Sequence, residues 1–527
     1  MSGHAFPVKF LDRARSLYGS KVGIVDGDRR FTYAEYAERC DRLSHALTAL
    51  GVRQGERVAF LGPNGHPLLE AYYGVVQMGA VLMPLNVRLT PADFEFMLND
   101  AEASAIIVER AMLPLLAPIR ANVPSLRTVV LVGDGERGAD PDYEEILAAA
   151  PADRYEGPAM AEDDVAEIFY TSGTTGRSKG VMLTHRNLYA NALSMITGTG
   201  MSDRDVMLHT IPLFHVNGWG TPHALTGVGG RHIALRMFNP ALVLELIQQE
   251  KVTLTALVPT MVNMLINFPD LGAYDVSSLQ RIIVGGAPSP WTFVGEVRRK
   301  LGCQYIVGYG MTESAPILTV SLLKETLAGL SEDEQARYMA KTGVPVLGVE
   351  VRVVNDRGAD VTRDGAEVGE IIARGDNIMK GYWRRPEETA ATIRDGWLHT
   401  GDVATVDGEG YITIVDRAKD IIISGGENIS SVEVEDALYS HPAVLEAAVV
   451  AAPDPQWGEI PVAVVSLKPG MTATEADIIA HARGQMAHFK APKRVEIVDT
   501  LPRGGTGKIL KNVVREKFWQ GFEQRVH

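Results

Sequence analysis

Residues 170–180 combine the groups that a phosphate-binding loop needs. Glycines let the backbone approach an anion closely, exposed amides and hydroxyls donate hydrogen bonds to it, and Lys179 adds a positive charge. The apolar run 166–170 leads into the segment, which favours a loop at the end of a buried strand over a flexible linker. The spacing is not that of a Walker A loop. The predicted phosphate contacts are Thr171, Ser172, Gly173, Thr174, Thr175, Gly176 and Lys179.

Two further segments carry residue types suited to phosphate chemistry. In segment 309–313, Thr312 can hydrogen-bond a phosphate, and Glu313 offers the hard oxygen ligand that Mg²⁺ prefers. In segment 504–509, Lys508 follows a run rich in glycine, where a lysine can stabilise charge on reacting groups. A single glutamate or lysine is more often a solvated surface residue, so each segment is weak evidence by itself.

Three more segments are informative because of their order along the chain. Segment 284–288 contains two glycines, which can bring bare backbone against a flat ring. Segment 399–402 ends in Asp402, whose carboxylate can accept hydrogen bonds from two neighbouring hydroxyls. Segment 212–220 places His215 among apolar residues, although a lone histidine is more often structural.

Taken in order, these segments resemble the adenylate-forming superfamily, which includes acyl-CoA synthetases, firefly-type luciferases and peptide-synthetase adenylation domains. The resemblance covers nearly the whole chain, with Ser178 as a departure where the family usually has proline. It implies that the nucleotide is ATP, with a glycine loop facing adenine and an aspartate–arginine pair facing ribose. The implied ATP and AMP contacts outside the phosphate loop are Gly286, Ala287, Pro288, Tyr309, Gly310, Met311, Thr312, Asp402 and Arg417.

The resemblance also implies a reaction in two halves. A carboxylate first attacks the α-phosphate of ATP and releases pyrophosphate, and the thiol of coenzyme A (CoA) then attacks the acyl-adenylate and releases AMP. Lys508, Thr312 and His215 are the implied catalytic residues. Glu313 and Thr174 are the implied ligands of Mg²⁺.

A small C-terminal domain is implied to rotate between the two halves. Lys419 occupies the family hinge position. The glycine turn after it, with Ser424, Gly425 and Gly426, is implied to line the channel that admits the thiol arm of CoA.

The segments that the resemblance places around the acid are mostly apolar or small. No charged side chain is evident there to meet an α-amino group, which argues against amino-acid activation. A medium- or long-chain fatty acid is the first choice, and a short sulfur-containing acid such as methylmercaptopropionate, or an aryl acid, stays open. The pocket candidates are His215, Val216, Gly218, Trp219, Val258, Pro259, Met261, Gly308 and Pro316.

Three other functions share some or all of these residues. An adenylating enzyme that loads a carrier protein is one, and the lack of a fused carrier domain in the 527 residues favours CoA instead. A luciferase-like oxygenase would share every motif. A non-catalytic nucleotide-binding paralogue should have lost Lys508, Glu313 or Thr174, and all three are present.

Alternating strands and helices must bring these segments together. Thr32 and Glu35 predict a capping box before a helical stripe that ends at Gly51. A second helix is predicted over about residues 67–78. Ligands gather where parallel strands end in α/β sheets, so the loops after the strands should carry the chemistry. Segment 321–341 reads as a solvated surface excursion. The predicted buried strands include 57–61, 105–108, 128–132, 254–258, 281–284 and 304–307.

Beyond about residue 345 the pattern becomes richer in strands. The predicted fold class is α/β, with a large N-terminal region of several subdomains and a small mobile C-terminal α+β domain. We place the N-terminal AMP- and acyl-binding domain at residues 1–416. The C-terminal domain, which carries Lys508, spans residues 417–527.

Composition excludes several other classes. The formal charge of −14 argues against a nucleic-acid partner. Cys40 and Cys303 lie far apart and form no disulfide or metal motif. We expect no signal peptide and no transmembrane segment, and therefore a cytoplasmic enzyme whose partners are a small carboxylic acid, ATP and CoA. Homodimers are common among related enzymes, so a homodimer is also considered.

Overall fold

The computed structural model describes residues 5–135, 138–171, 178–417, 420–425, 427–504 and 508–520. Within these ranges the chain forms four β-sheets with helices between and around them. The α-helices with helical backbone angles are Val8–Tyr18, Tyr33–Ala49, His66–Gly74, Pro91–Asp100, Leu113–Leu116, Tyr143–Ala149, His185–Thr199, Thr221–Val228, Pro240–Glu250, Pro259–Ile266, Trp291–Leu301, Glu332–Ala340, Pro386–Thr392, Ser431–Tyr439, Glu475–Gln485 and Lys511–Trp519.

The first large sheet has seven strands and carries the predicted phosphate loop. Five neighbouring strands are parallel, and two antiparallel strands lie at one edge. Strand Val165–Thr171 enters the loop, and Lys179–Thr184 leaves it and pairs with the entering strand. Across the sheet the strands are Gly381–Tyr382, Lys179–Thr184, Val165–Thr171, Val81–Pro84, Arg57–Leu61, Ala103–Glu109 and Thr128–Val132.

The second large sheet has nine strands, and the interior six are parallel. Helices such as Pro240–Glu250, Pro259–Ile266 and Trp291–Leu301 connect them. Parallel strands with helical connections bury both faces of a sheet, which is why their sequences read as short apolar runs. Across the sheet the strands are Val344–Pro345, Ile317–Ser321, Gln304–Gly310, Arg281–Gly285, Leu254–Leu257, Val206–His209, Arg231–Ala234, Val22–Asp26 and Arg29–Thr32.

The third sheet is antiparallel and joins the N-terminal region to the C-terminal domain. Its pairing sets Asp402 directly opposite Arg417 on the neighbouring strand. Pairing of strands Trp397–Val406 and Ile412–Arg417 therefore brings two predicted ribose contacts together. The strands of this sheet are Val349–Val354, Gly369–Gly375, Trp397–Val406, Ile393–Arg394 and Ile412–Arg417.

The fourth sheet belongs to the C-terminal domain and has its own apolar core. Side chains such as Ile422, Val449 and Ile478 are fully buried between the sheet and its helices. The predicted fold class, a large α/β region with a smaller α+β domain, is confirmed. The division at residues 416/417 stays a prediction. The strands of this sheet are Glu427–Ile429, Ile422–Ser424, Gly458–Leu467, Val444–Asp454 and Arg494–Ile497.

Several local predictions from the sequence can be compared directly with the helices. Thr32 accepts from the Glu35 amide, and the Glu35 carboxylate accepts from the Thr32 amide, so the capping box is confirmed. The segment 321–341 contains the surface helix Glu332–Ala340, whose first turn is exposed and whose other face packs against the protein. Ala336 is buried, and the Arg337 guanidinium lies 4.1 Å from the Trp291 ring centre.

Two further predictions concern the cysteines and membrane-spanning segments. Cys40 and Cys303 are both buried free thiols. Burial raises the pKa of each thiol, so neither has the thiolate character of a reactive cysteine. In the part of the chain that the structure describes, no helix has the length and apolar character needed to cross a bilayer.

Candidate active site

Four neighbouring parallel strands of the nine-stranded sheet end at one edge and release the predicted site segments there. Strand Val206–His209 precedes the segment with His215, and Leu254–Leu257 precedes Val258. Arg281–Gly285 precedes Gly286, and Gln304–Gly310 precedes Thr312. Segments far apart in sequence therefore meet because parallel strands share a carboxyl edge.

Three predicted nucleotide contacts form one hydrogen-bonded group. The Tyr309 hydroxyl donates to Asp402 Oδ2 over 2.8 Å, and Arg417 Nε lies 3.1 Å from Asp402 Oδ1. Asp402 is buried, whereas the Arg417 side chain is half exposed. Burial raises the pKa of Tyr309, and the Asp402 carboxylate raises it further, so the hydroxyl remains a donor at neutral pH. This group can accept from ribose hydroxyls and bind a phosphate through Arg417.

The structure places Lys508 of the C-terminal domain in the cleft beside this group. A Cβ built on Gly286 would lie 3.0 Å from Lys508 Cε, so the missing side chain makes room for the lysine. Burial and, to a lesser extent, the Arg417 charge lower the pKa of Lys508 to about 8, and Asp402 opposes both effects. The ammonium therefore lies close both to Gly286, in the loop predicted to face adenine, and to the Tyr309–Asp402–Arg417 group, which is predicted to contact ribose.

His215 faces the same cleft from the N-terminal region. Burial and, to a lesser extent, the Lys508 charge lower its pKa to about 4. The imidazole is therefore neutral at physiological pH and can offer one hydrogen-bond donor and one acceptor. It is not the acid–base group that an unperturbed histidine would be.

Thr312 and Glu313 are buried in the short 3₁₀ turn Thr312–Ser314. The Tyr382 hydroxyl donates to Glu313 Oε1 over 2.8 Å. Burial raises the pKa of Glu313, while the Tyr382 hydrogen bond and the Lys179 charge lower it. The Lys179 ammonium pairs with Glu388 and lies 5.2 Å from the Tyr382 ring centre.

Glu313 fits the predicted metal role. A carboxylate whose charged form is disfavoured by burial is stabilised when a cation binds beside it. The described ranges hold no cluster of three or more histidine, cysteine or carboxylate side chains that could bind a metal ion. Mg²⁺ bound here would therefore depend on phosphate oxygens and water in addition to Glu313, which is how it usually binds in nucleotide sites.

The segment after His215 has an unusual backbone. Val216, Asn217, Gly218, Trp219 and Gly220 have φ values of 40°, 41°, 53°, 64° and 74°, all in the left-handed region. That conformation costs about 1–2 kcal/mol for each residue with a side chain, and it is rarest for a β-branched residue. We call residues 216–220 the left-handed turn. Strain of this kind persists only where surrounding contacts fix the backbone.

The left-handed turn sets Trp219 against the strand ends. Cβ atoms built on Gly285 and Gly286 would lie 3.4 Å and 3.5 Å from the indole ring, and the one on Gly286 would also lie 3.5 Å from Val258. The indole, Val258 and the glycine backbone thus form an apolar wall next to Lys508. Val258, Pro259 and Pro316 are buried near this edge.

The other pocket candidates occupy several different environments. Val216 is buried in the core between the two large sheets, and a Cβ on Gly218 would lie 2.7 Å from Leu213. Met261 belongs to the core of the nine-stranded sheet. A Cβ on Gly308 would lie 3.3 Å from the Ile317 side chain. Pocket roles for these residues remain predictions.

Glycine is required at Gly310 by close approach of two chains. Gly310 pairs with Ile317 in the antiparallel part of the nine-stranded sheet, and an added Cβ would overlap the Pro316 carbonyl oxygen. Met311 Nα donates to the same oxygen over 3.1 Å. These contacts position Thr312 and Glu313 immediately after the strand.

Several predicted residues lie outside the described ranges. Thr171 ends strand Val165–Thr171, but the rest of the loop up to Lys179 is described only at Ser178. Ser424 and Gly425 form the first turn of the C-terminal sheet, where a Cβ on Gly425 would lie 2.7 Å from the Trp457 ring. The predicted residues outside the description are Ser172, Gly173, Thr174, Thr175, Gly176, Lys419 and Gly426.

Two predicted nucleotide contacts remain, in the loop after Gly286. Ala287 and Pro288 follow Gly286 in the loop after strand Arg281–Gly285 and are exposed. No sequence motif indicates Tyr382, whose hydroxyl donates to Glu313, or Glu388, which pairs with Lys179. Tyr382 lies in a strand of two residues at the edge of the seven-stranded sheet, and such a short edge element leaves no periodic signal.

Comparison with known proteins agrees with this geometry. Residues 11–383 match the family described as AMP-binding enzyme, and residues 433–508 match the AMP-binding enzyme C-terminal domain. A long-chain-fatty-acid–CoA ligase of Thermus thermophilus is 39% identical over 518 residues, which cover 97% of this chain and 95% of that protein. A feruloyl-CoA synthase of an Amycolatopsis species is 41% identical over 498 residues, which cover 94% of this chain and 96% of that protein.

A solved structure gives the same result for the fold. The anthranilate CoA ligase AuaEII, crystallised with anthranoyl-AMP, superposes with a TM-score of 0.90 at 28% identity, over 97% of each chain. The predicted enzyme class, an AMP-forming acid–CoA ligase, is confirmed by the class of these relatives. The family matches, the relatives and the shared fold lead to one conclusion: the chain belongs to the AMP-binding enzyme family, within the adenylate-forming superfamily.

Proposed function

We propose that this ATP-dependent acyl-CoA ligase acts on an apolar carboxylic acid, with a medium- or long-chain fatty acid as the first choice. The observation that carries the proposal is the position of Lys508. It lies between the Tyr309–Asp402–Arg417 group, which would bind ribose, and the apolar wall of Trp219 and Val258. A carboxylate at this point would have its tail against the apolar wall and its oxygen beside the ammonium.

In the first half-reaction, a carboxylate oxygen of the acid forms a bond to the α-phosphorus, and the bond to the pyrophosphate oxygen breaks. Lys508 would stabilise negative charge on the reacting oxygens, and Thr312 would donate to the α-phosphate. The buried Asp402 would accept from the ribose hydroxyls and fix the nucleotide. Mg²⁺, when bound near Glu313, would neutralise phosphate charge.

In the second half-reaction, the sulfur of CoA forms a bond to the acyl carbon, its proton passes to solvent, and AMP leaves with the former carboxylate oxygen. The neutral His215 stands where the acyl group and the arriving thiol would meet, and it can hydrogen-bond either one. We propose no general-base role for His215 in removing the thiol proton.

The relatives support a second candidate for the acid. One is named for a long-chain fatty acid, whereas two are named for the aromatic acids ferulate and anthranilate. The indole of Trp219 lies against the glycine backbone and offers a flat surface on which an aryl acid can stack. An aryl acid is therefore the alternative that a specific contact favours.

A competition assay tests the proposal. Purified protein, ATP, Mg²⁺ and CoA are mixed with straight-chain acids of several lengths, aryl acids and methylmercaptopropionate, and the thioesters are identified by mass spectrometry. A dominant aliphatic thioester of medium or long chain is the expected result. A dominant aryl thioester would overturn the first choice in favour of the alternative. Formation of acyl-adenylate without thioester would indicate that the acceptor is a carrier protein and not CoA.

A further inference from the structure

The left-handed turn has one side-chain anchor that neither the motifs nor the reaction explain. Asn217 Nδ2 donates to Glu167 Oε2 over 3.0 Å, and neither residue is exposed. Within the ranges that the structure describes, Asn217 Oδ1 has no hydrogen-bond partner. Glu167 is therefore the hydrogen-bond partner shown for the Asn217 carboxamide, and Asn217 lies within the strained left-handed turn.

A second hydrogen bond orients the Glu167 carboxylate. His223 Nε2 lies 3.2 Å from Glu167 Oε1, and His223 Nδ1 lies 3.3 Å from the Tyr73 hydroxyl. The rings of Tyr72 and Tyr73 stand edge-on to the imidazole, with centroid distances of 5.5 Å and 5.3 Å. A carboxylate in a fully buried site is stable only when its oxygens are paired, and here each oxygen has a partner.

This network joins two parts of the active site. Glu167 lies on strand Val165–Thr171, which enters the predicted phosphate loop. Asn217 lies between His215 and Trp219, the two residues that face Lys508 and Gly286. The carboxylate thus fixes the position of the acid side of the cleft relative to the phosphate side.

We infer that Glu167 is a positioning residue for the acid half of the site. Together with Asn217 and His223, it holds the left-handed turn so that Trp219 and His215 stay beside Lys508. Among the residues that the structure describes, the Glu167 side chain bonds to Asn217 and His223 and to none of the predicted nucleotide contacts, so it acts through Asn217. The inference rests on the proposed function, and it adds a residue that the family motifs do not contain.

Three substitutions separate positioning from simple stability. Asn217→Ala removes the anchor and the partner of Glu167 Oε2, and it leaves the contact between Glu167 Oε1 and His223 in place. Glu167→Ala removes both contacts. Glu167→Gln keeps them, because its amide oxygen can accept from Asn217 and its amide nitrogen can donate to His223.

Steady-state kinetics with the preferred acid give the first readout. We expect Asn217→Ala and Glu167→Ala to raise the acid KM or lower its kcat/KM by about tenfold or more, because small misplacements of positioning groups have effects of this order. The ATP KM should stay within about twofold, and Glu167→Gln should restore most of the activity. Asp205→Asn is the matched control, since Asp205 is a buried carboxylate that binds Thr253 and Arg281 at the opposite end of the strands.

Fluorescence gives a readout that does not depend on turnover. The wild type and each variant are compared with the same protein carrying Trp219→Phe. The difference between the two spectra isolates the emission of Trp219 among the six tryptophans. Loss of the anchor should shift this emission, and Asp205→Asn should lower only the thermal unfolding midpoint.

The outcomes distinguish the inference from the proposed function. If the wild-type protein turns over no acid, the proposed function fails, and the fluorescence shift alone decides the inference. An unchanged acid KM together with an unchanged Trp219 spectrum in Asn217→Ala would overturn the inference. An equal loss of kcat/KM for the acid and for ATP, with no rescue by Glu167→Gln, would also overturn the inference and leave Glu167 as a purely structural group.

Discussion

Lys508 shows most clearly how burial can tune one residue for this chemistry. Its pKa is lowered to about 8 from an ordinary value of 10.5, so the ammonium loses its proton within an accessible pH range. Burial and the Arg417 charge lower the pKa, and Asp402 limits the effect. The protonated form is the one that can stabilise the reacting oxygens, so activity should be lost as pH rises.

We therefore predict that kcat/KM for adenylation is level below pH 8 and falls above it, by about tenfold per pH unit. Lys508→Arg should abolish this fall, because arginine keeps its charge, although its maximum rate should be lower. Pyrophosphate release measured from pH 5 to pH 10 gives both profiles. Identical profiles for the two proteins would show that Lys508 is not the group that titrates.

His215 gives a second signature in the same measurement. Since its pKa is lowered to about 4, the imidazole does not titrate between pH 5 and pH 7. The profile should show no break near pH 6.5. A break there that disappears in His215→Asn would mean that the imidazole is exposed to solvent and ionises normally.

At the scale of elements, the left-handed turn depends on Gly220. Its φ is +74°, and an added Cβ would overlap Asn191 Nδ2. The other end of that carboxamide, Asn191 Oδ1, accepts from Ile317 Nα over 3.0 Å, so a clash would disturb the strand after Pro316 as well. Gly220 of the turn and Ile317 at the edge of the nine-stranded sheet thus both lie against the Asn191 side chain.

Gly220→Ala should lower the free energy of unfolding by more than about 2 kcal/mol, from the backbone strain and the overlap together. Gly200→Ala is the matched control. Gly200 has a similar φ of +67°, but a Cβ there meets nothing within 4 Å. The control should cost only about 1 kcal/mol. Equal losses in denaturant unfolding would show that the Asn191 contact has no energetic role.

The sequence predicted those elements whose signal is local. The strand Arg57–Leu61 matches the predicted bounds, because the four residues after Arg57 form one continuous apolar and buried run. Segment 67–78 does not form one helix: His66–Gly74 is followed by the 3₁₀ turn Val76–Met78, which ends at Gly79 with φ +72°. The pattern of apolar residues continues through the break, so periodicity alone cannot locate it.

The site was predictable only in part for a related reason. Motif residues such as Asp402 and Lys508 are found by their order along the chain. Tyr382 and Glu167 belong to no motif, and their roles depend on sheet pairing and burial. The left-handed turn was also missed, because Val216 and Trp219 have no local preference for positive φ.

At the scale of the whole molecule, the two domains contact each other around the cleft. Asn263 Nδ2 donates to the Leu445 carbonyl over 2.6 Å, and the rings of Phe293 and Tyr439 meet edge to face with centroids 5.8 Å apart. These contacts accompany the position of Lys508 in the cleft. If the C-terminal domain rotates between half-reactions, as the family resemblance implies, they must break.

Asn263→Ala should therefore lower the adenylation rate and leave thioester formation from supplied acyl-adenylate unchanged or faster. The loss should be about three- to tenfold, the effect of one hydrogen bond. Lys419→Pro at the predicted hinge should show the reverse pattern, sparing adenylation and preventing thioester formation. The same pattern in both variants, measured with separate assays for the two halves, would contradict a role for domain rotation.

The most direct test of the central claim is acid-dependent exchange between ATP and labelled pyrophosphate, in the wild-type protein and in Lys508→Ala. We predict exchange that requires the acid, and a loss of about 10²–10³ in the variant, because Lys508 stabilises the reacting charges in adenylation. ATP binding, measured separately by calorimetry, should change little. Equal exchange in the two proteins would contradict the catalytic role of Lys508 and, with it, this account of the active site.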